Sequence, residues 1–154
     1  MDVTSLYQEI ILDHFREKHH TGLREPFDAQ VHHVNPSCGD EQTLRVHLDE
    51  GVVTDVSYEA EGCSISQAST SVMTDLVIGL PAGEALALYD EFLAMMESQG
   101  QGTPDEDHLG DGIAFHGVAQ FPGRIKCALL GWAALRDALL RSGSGTTSEL
   151  EGGA

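Results

Sequence analysis

The stretch between residues 29 and 60 constrains the fold most, because its pattern is that of consecutive β-strands. Leu44, Val46 and Leu48 alternate with polar residues, as in a strand that buries one face. Asp49-Glu50-Gly51 is typical of the turn of a hairpin. The pattern predicts three short strands, at Ala29–Asn35, Gln42–Leu48 and Val52–Ala60.

Helical periodicity occurs on both sides of these strands. One helix is predicted before them, from about Leu6 to Lys18, and three are predicted after them, at Ser64–Ile78, Gly83–Ser98 and about Arg124–Arg141. The acidic, glycine-rich segment Gln99–Gly112 lacks periodicity and is predicted to be a mobile loop. Residues 142–154 form a Gly/Ser/Thr tail with acids that is predicted to be disordered. The expectation is a single α+β domain over residues 1–141.

Composition excludes several classes of function. The 154 residues suit one domain, and 41% hydrophobic content is ordinary for a globular protein. A net charge of −17, from 25 acidic and 8 basic residues, disfavours binding to nucleic acid or to an anionic membrane surface. No apolar run reaches the roughly 18 residues of a membrane span. Without a signal sequence, three cysteines indicate a reducing cytoplasm rather than a disulfide framework.

The three cysteines all fall at ends of predicted elements. Cys38 lies in the connection between the first two strands, with the carboxylate of Asp40 two residues on. Cys63 lies at a strand-to-helix junction, and Cys127 lies at the start of the last helix with two basic residues within three positions. Such settings favour the thiolate, which is the form of cysteine that binds metal. Three thiolates and one carboxylate would complete a four-coordinate zinc site.

Simpler interpretations stand beside this one. Any one of the cysteines, taken alone, is explained as a small core hydrophobe, and the spacings contain no Cys-x₂-Cys pair. A shared site is favoured because Cys38 and Asp40 lie in a loop bounded by proline and glycine. Core packing is a poor explanation for residues in such a loop. The eight histidines are not favoured as ligands. His14 is expected to be a core histidine, and His32 and His33 point to opposite faces of a strand.

Three segments around these cysteines carry a resemblance to a known family. Asn35–Asp40, Glu61–Ser66 and Phe121–Leu129, together with the opening Leu6–His14, resemble the SufU branch of the IscU/NifU N-terminal superfamily. The resemblance runs in order from about residue 5 to residue 140. It implies an α+β fold with a three-stranded antiparallel sheet packed against about five helices. It also implies a Zn²⁺ ion bound by four residues: Cys38, Asp40, Cys63 and Cys127.

The resemblance further implies an activity in iron–sulfur cluster assembly. SufU-type proteins are sulfurtransferases that accept persulfide sulfur from a pyridoxal-phosphate (PLP)-dependent cysteine desulfurase of the SufS type and pass it towards a downstream scaffold. In that family the cysteine matching Cys38 leaves the zinc and accepts the sulfur, and the arginine matching Arg124 assists. Both are therefore expected to be catalytic.

Two other classes of function stay open. The alternative to the sulfurtransferase is an IscU-type scaffold on which a [2Fe–2S] cluster is assembled. IscU-type proteins carry histidine immediately before the third cysteine, where this chain has Lys126, and lack the segment Gln99–Gly112. Lysine is a cation and not a ligand at neutral pH, so zinc is favoured over a cluster. A third possibility is a purely structural zinc module that docks to a partner.

Overall fold

A computed structural model describes residues 3–36, 39–101 and 106–143, with only the backbone described at residues 3, 4, 106 and 143. The elements are five α-helices, three strands and two short 3₁₀ helices. In chain order they are α1 (Val3–Glu17), β1 (Ala29–Asn35), β2 (Asp40–Asp49), β3 (Val52–Glu61), α2 (Ser64–Val77), α3 (Ala82–Glu97), α4 (Glu106–Leu109), 3₁₀ helices at Gly110–His116 and Val118–Gln120, and α5 (Pro122–Gly143).

The three strands form an antiparallel sheet in the order β1-β2-β3. Asn35 pairs with Asp40, and a bulge interrupts the pairing of β2 with β3 after His47. Along β2 and β3 the side chains that face the helices are fully or almost fully buried, and they are Leu44, Val46, Val53, Val56 and Tyr58. The predicted strands are confirmed, and β2 and β3 are longer than predicted.

Helix α5 packs across β1 and β2 and α2 packs against β3, while α1 packs on α2 and α3 packs on α5. Trp132 of α5 is fully buried and stacks on Phe92 of α3, with ring centroids 4.5 Å apart. Gly131 allows α5 and α2 to approach closely, because a Cβ at this position would overlap Thr70 Oγ1. The α+β fold with a three-stranded antiparallel sheet and five helices is confirmed.

Some predicted boundaries differ from the structure. The prediction of a mobile loop over Gln99–Gly112 is wrong from residue 106 onwards, where the chain is helical. Helical geometry there buries Leu109, Ile113 and Phe115, and Phe115 lies edge-on to Phe92. This apolar burial outweighs the poor helical composition of the segment.

The terminal helices also extend further than predicted. Helix α1 begins at Val3, and α5 begins at Pro122, where a proline fits the first helical position because its fixed φ suits the helix and no N–H is lost. The predicted disordered tail is wrong at residues 142 and 143, which belong to α5; from residue 144 onwards it lies outside the described residues, so its disorder stays a prediction there. No described helix has both the length and the hydropathy that a membrane span requires.

Candidate metal centre

Three of the four predicted zinc ligands converge in the structure. Asp40 opens β2, Cys63 is the N-cap residue of α2 two residues after the end of β3, and Cys127 lies in the second turn of α5. One ligand atom from each residue lies within 4.8 Å of the ligand atoms of the other two. Cys38, the fourth predicted ligand, lies outside the described residues, in the connection that follows Asn35 and precedes Asp40. The sheet and α5 thus bring together groups that are up to 87 residues apart in sequence.

The carboxylate of Asp40 is fully buried. Its Oδ1 accepts a hydrogen bond from the backbone N–H of Cys63 at 2.7 Å, and its Oδ2 lies 3.6 Å from Cys63 Sγ. Burial of a carboxylate is costly unless hydrogen bonds or a cation compensate for the lost hydration. One backbone N–H satisfies one oxygen, and the other oxygen faces a thiol. This arrangement favours a cation at the second oxygen.

Gly62 makes this approach of Asp40 to Cys63 possible. Its φ is +130°, a conformation that L side chains rarely adopt, and an added Cβ would overlap Asp40 Oδ1 and lie 2.7 Å from Asp40 Cα. The side-chain amide of Gln67 donates a hydrogen bond to the carbonyl of Gly62 at 2.9 Å, which ties the junction to α2. Sequence reasoning assigned no role to Gly62. The available signal was a glycine between a strand and a cysteine.

Cys127 is fully buried against the end of β1. Asn35 Nδ2 and the carbonyl oxygen of Gly123 each lie 4.0 Å from its Sγ. Asn35 is itself buried and is the last residue of β1, so its amide contacts α5 at the end of this strand. Sequence reasoning did not single out Asn35 as a neighbour of this thiol.

The separation of two of the donor atoms matches that expected for ligands of one tetrahedral Zn²⁺ ion. With bonds of about 2.3 Å to sulfur and about 2.1 Å to oxygen, a tetrahedral angle places the two donor atoms about 3.6 Å apart. The separation of Cys63 Sγ from Asp40 Oδ2 is 3.6 Å. Cys63 is an N-cap residue whose side chain makes no capping hydrogen bond, so its sulfur is not engaged by the helix end. Two thiols and a carboxylate leave one position for a fourth ligand.

The basic residues near Cys127 lie at the surface. Arg124 and Lys126 are exposed in the first turns of α5, and the backbone N–H of Arg124 bonds to the carbonyl of Phe121 at 2.8 Å. Arg124 precedes Cys127 by three residues, a spacing that places both on one side of a helix.

Among the described residues, the group formed by Asp40, Cys63 and Cys127 contains no histidine. His14 is 5% exposed and is hydrogen-bonded to Ser71 and Asp111, so the prediction of a core histidine is confirmed. His32 contacts Thr43 on the outer face of the sheet, whereas His33 contacts Asp137 of α5. The predicted opposite orientation of this pair is also confirmed.

Comparison with known proteins places this fold and these residues in a family. The sequence model of the NifU-like N-terminal domain family matches residues 6–128 of this chain. The chain is 45% identical over 137 residues to an iron–sulfur cluster assembly scaffold protein IscU of Streptococcus pyogenes serotype M1, covering 89% of this chain and 84% of that protein. It is 39% identical over 144 residues to the zinc-dependent sulfurtransferase SufU of Bacillus subtilis (strain 168), covering 94% and 96%.

A solved structure supports the same placement. A nitrogen-fixing NifU-like protein (N-terminal) from Brucella abortus superposes with a TM-score of 0.82 at 28% identity, covering 92% of this chain and 97% of that one. The antiparallel sheet, the helices packed on it and the cluster of two cysteines and an aspartate define a domain of the class found in IscU and SufU. The chain belongs to the NifU-like N-terminal domain family.

Proposed function

We propose that this protein acts in iron–sulfur cluster assembly as a zinc-dependent sulfurtransferase, with Cys38, Asp40, Cys63 and Cys127 as the zinc ligands. The observation that carries the proposal is the convergence of Asp40, Cys63 and Cys127 within 4.8 Å at three element ends. The relative named as a zinc-dependent sulfurtransferase, which the chain matches over 94% of its length, supports the same function. The sulfur donor is a PLP-dependent cysteine desulfurase, the acceptor is a downstream scaffold, and the location is the cytoplasm.

The burial of Asp40 and Cys127 supports an anchoring role for these two residues and for Cys63. Cys63 is fixed at the N-terminus of α2 and Cys127 within α5, so neither can move far without unwinding a helix. Cys38 belongs to the short connection between two paired strand ends, Asn35 and Asp40. A connection can rearrange at lower cost than a helix. The sulfur-accepting role therefore falls to Cys38.

The proposed transfer is a thiol–disulfide type of exchange in which no net oxidation occurs. The Cys38 thiolate attacks the terminal sulfur of the persulfide on the desulfurase cysteine. A sulfur–sulfur bond forms at Cys38 while the sulfur–sulfur bond of the donor breaks, and the electron pair of the broken bond remains on the donor thiolate. The product is a persulfide on Cys38.

Zn²⁺, when bound, keeps the coordinating thiols deprotonated. The exposed guanidinium of Arg124 carries a permanent charge one helical turn before Cys127. A positive charge at this position would stabilise the Cys38 thiolate when it is released from zinc, or would stabilise the anionic sulfur that arrives from the donor.

The second candidate is an IscU-type scaffold that assembles a [2Fe–2S] cluster. The observation that favours it is the 45% identity to a relative bearing that name. Exposed Lys126, at the position before Cys127, favours the zinc protein because lysine does not ligate iron at neutral pH.

Metal analysis combined with a desulfurase assay separates these functions. We expect anaerobically purified protein to be colourless, to hold one zinc ion per chain and to stimulate a cysteine desulfurase. Cys63→Ser and Cys127→Ser should lose zinc and stability, because ligand binding is coupled to folding. Asp40→Asn keeps the shape and the acceptor for the Cys63 N–H but removes the charge, and it should bind zinc more weakly.

Two outcomes would contradict the sulfurtransferase. Iron with visible absorbance in the anaerobic protein would instead identify the scaffold. Full zinc content and unchanged melting in both serine variants would remove the proposed ligand set. Asp55→Asn serves as the matched control for Asp40→Asn, since Asp55 pairs with Arg24 at the surface and should not affect zinc.

A further inference from the structure

A second group of metal-binding side chains lies at the other end of α2. His14 of α1, His19 in the turn that follows α1, and Asp75 of α2 place one ligand atom each within 4.8 Å of the other two. Asp75 is twelve residues beyond Cys63, which corresponds to about 18 Å at a helical rise of about 1.5 Å per residue. This group, the His14–His19–Asp75 cluster, is therefore separate from the thiols.

The two imidazoles are held in place by the surrounding structure. Their ring centroids are 4.7 Å apart. Ser71 Oγ bonds to His14 Nδ1 at 2.8 Å and accepts the backbone N–H of His19 at 2.9 Å. One buried hydroxyl thus orients both histidine residues. A hydrogen bond to one ring nitrogen that fixes the orientation of the other is the usual arrangement behind a metal-ligating histidine.

Carboxylates surround the imidazoles on the remaining sides. Asp75 Oδ2 lies 2.5 Å from His19 Nδ1, and Glu17 Oε1 lies 2.6 Å from His19 Nε2. Asp111 Oδ2 lies 3.1 Å from His14 Nε2. Three carboxylates around two imidazoles make this an acidic group of side chains, in a chain whose net charge is already −17. A divalent cation would balance part of the charge of these carboxylates.

The donor set selects the type of cation. Two imidazole nitrogens with carboxylate oxygens are the ligands typical of Zn²⁺, Ni²⁺ and related ions, whereas Mg²⁺ and Ca²⁺ take oxygen donors. His14 is buried, while the side chains of His19 and Asp75 are 34% and 37% exposed, so an ion can enter from solvent. We propose that His14, His19 and Asp75 form a second site for a divalent transition-metal ion, which links the end of α1 to α2.

Binding of Zn²⁺ to the full-length protein tests this site. Wild type should bind one equivalent more than His19→Ala or Asp75→Asn, in which loss of a ligand should weaken that binding step by at least about tenfold. Addition of Zn²⁺ beyond the first equivalent should raise the melting temperature of wild type and not of these variants. Both substituted side chains are partly exposed, and circular dichroism will verify that the variants fold.

His32→Ala is the matched control. His32 is an exposed histidine with a carboxylate nearby, Glu41 at 3.5 Å, on the outer face of the sheet. It should keep the additional equivalent. The proposal is overturned if His19→Ala and Asp75→Asn bind as many equivalents as wild type with unchanged affinity. It is equally overturned if His32→Ala loses the step as they do, because the metal would then bind to surface histidines in general.

Discussion

Replacement of Gly62 by alanine tests whether the approach of Asp40 to Cys63 depends on the absence of a Cβ atom at residue 62. The backbone at Gly62 has φ of +130°, and alanine in such a conformation costs about 1–3 kcal/mol. The added Cβ would also overlap Asp40 Oδ1, and the shift needed to relieve it costs about 1–3 kcal/mol. The expected loss of stability is therefore about 2–6 kcal/mol.

Gly79→Ala is the matched control for this substitution. Gly79 has φ of +100°, and a Cβ there would meet nothing within 4 Å. It therefore carries the conformational cost without the overlap, and its expected loss is about 1–3 kcal/mol. The difference between the two variants isolates the contact with Asp40.

Urea unfolding and zinc content of both variants give the result. Gly62→Ala should unfold at lower urea than Gly79→Ala and should bind zinc more weakly, because Asp40 must move away from Cys63. Equal unfolding midpoints together with equal zinc content would refute the role assigned to Gly62.

Two further substitutions test the packing of α5. Gly131→Ala should destabilise the protein by about 1–2 kcal/mol in urea unfolding, because overlap with Thr70 outweighs the gain in helix propensity. Gly83→Ala is the control and should not destabilise it, because no atom lies near its added Cβ. Equal effects of the two substitutions would contradict the close approach of α5 to α2. Burial opposes ionisation of Asp137, but its hydrogen bonds to His33 and Arg141 lower its pKa below the ordinary 3.8. The Asp137 carboxylate stabilises the fold fully above pH 3.8, and this stabilisation is lost as the pH falls through the lower pKa of the folded state. The difference in unfolding free energy between wild type and Asp137→Asn should therefore shrink at acid pH. A difference that stays constant with pH would contradict these hydrogen bonds.

The strands were predictable from the sequence because one face of the sheet is buried and the other is not. Leu44, Val46 and Leu48 record this alternation directly. Helix α4 was not predictable, because it forms where burial of Leu109 overrides a composition typical of loops. Local pattern decides an element only when tertiary contacts do not outweigh it.

The spacing of the candidate ligands along the sequence could not by itself predict that they converge. Cys63 and Cys127 are 64 residues apart, and only the crossing of α5 over the sheet brings them together. Their grouping was expected from their settings at the ends of predicted elements and from the resemblance to SufU-type proteins, and not from their spacing. The His14–His19–Asp75 cluster was not expected, because the histidines were not favoured as ligands and Asp75 is 56 residues beyond His19.

The central claim is that Cys38 accepts sulfur while Cys63 and Cys127 hold the metal. Mass spectrometry of the protein after incubation with a cysteine desulfurase and cysteine tests this directly. We expect an added sulfur atom on the peptide that contains Cys38 in wild type, and no added sulfur in Cys38→Ser. Persulfide on Cys63 or Cys127 instead, with Cys38→Ser still transferring sulfur, would contradict the mechanism.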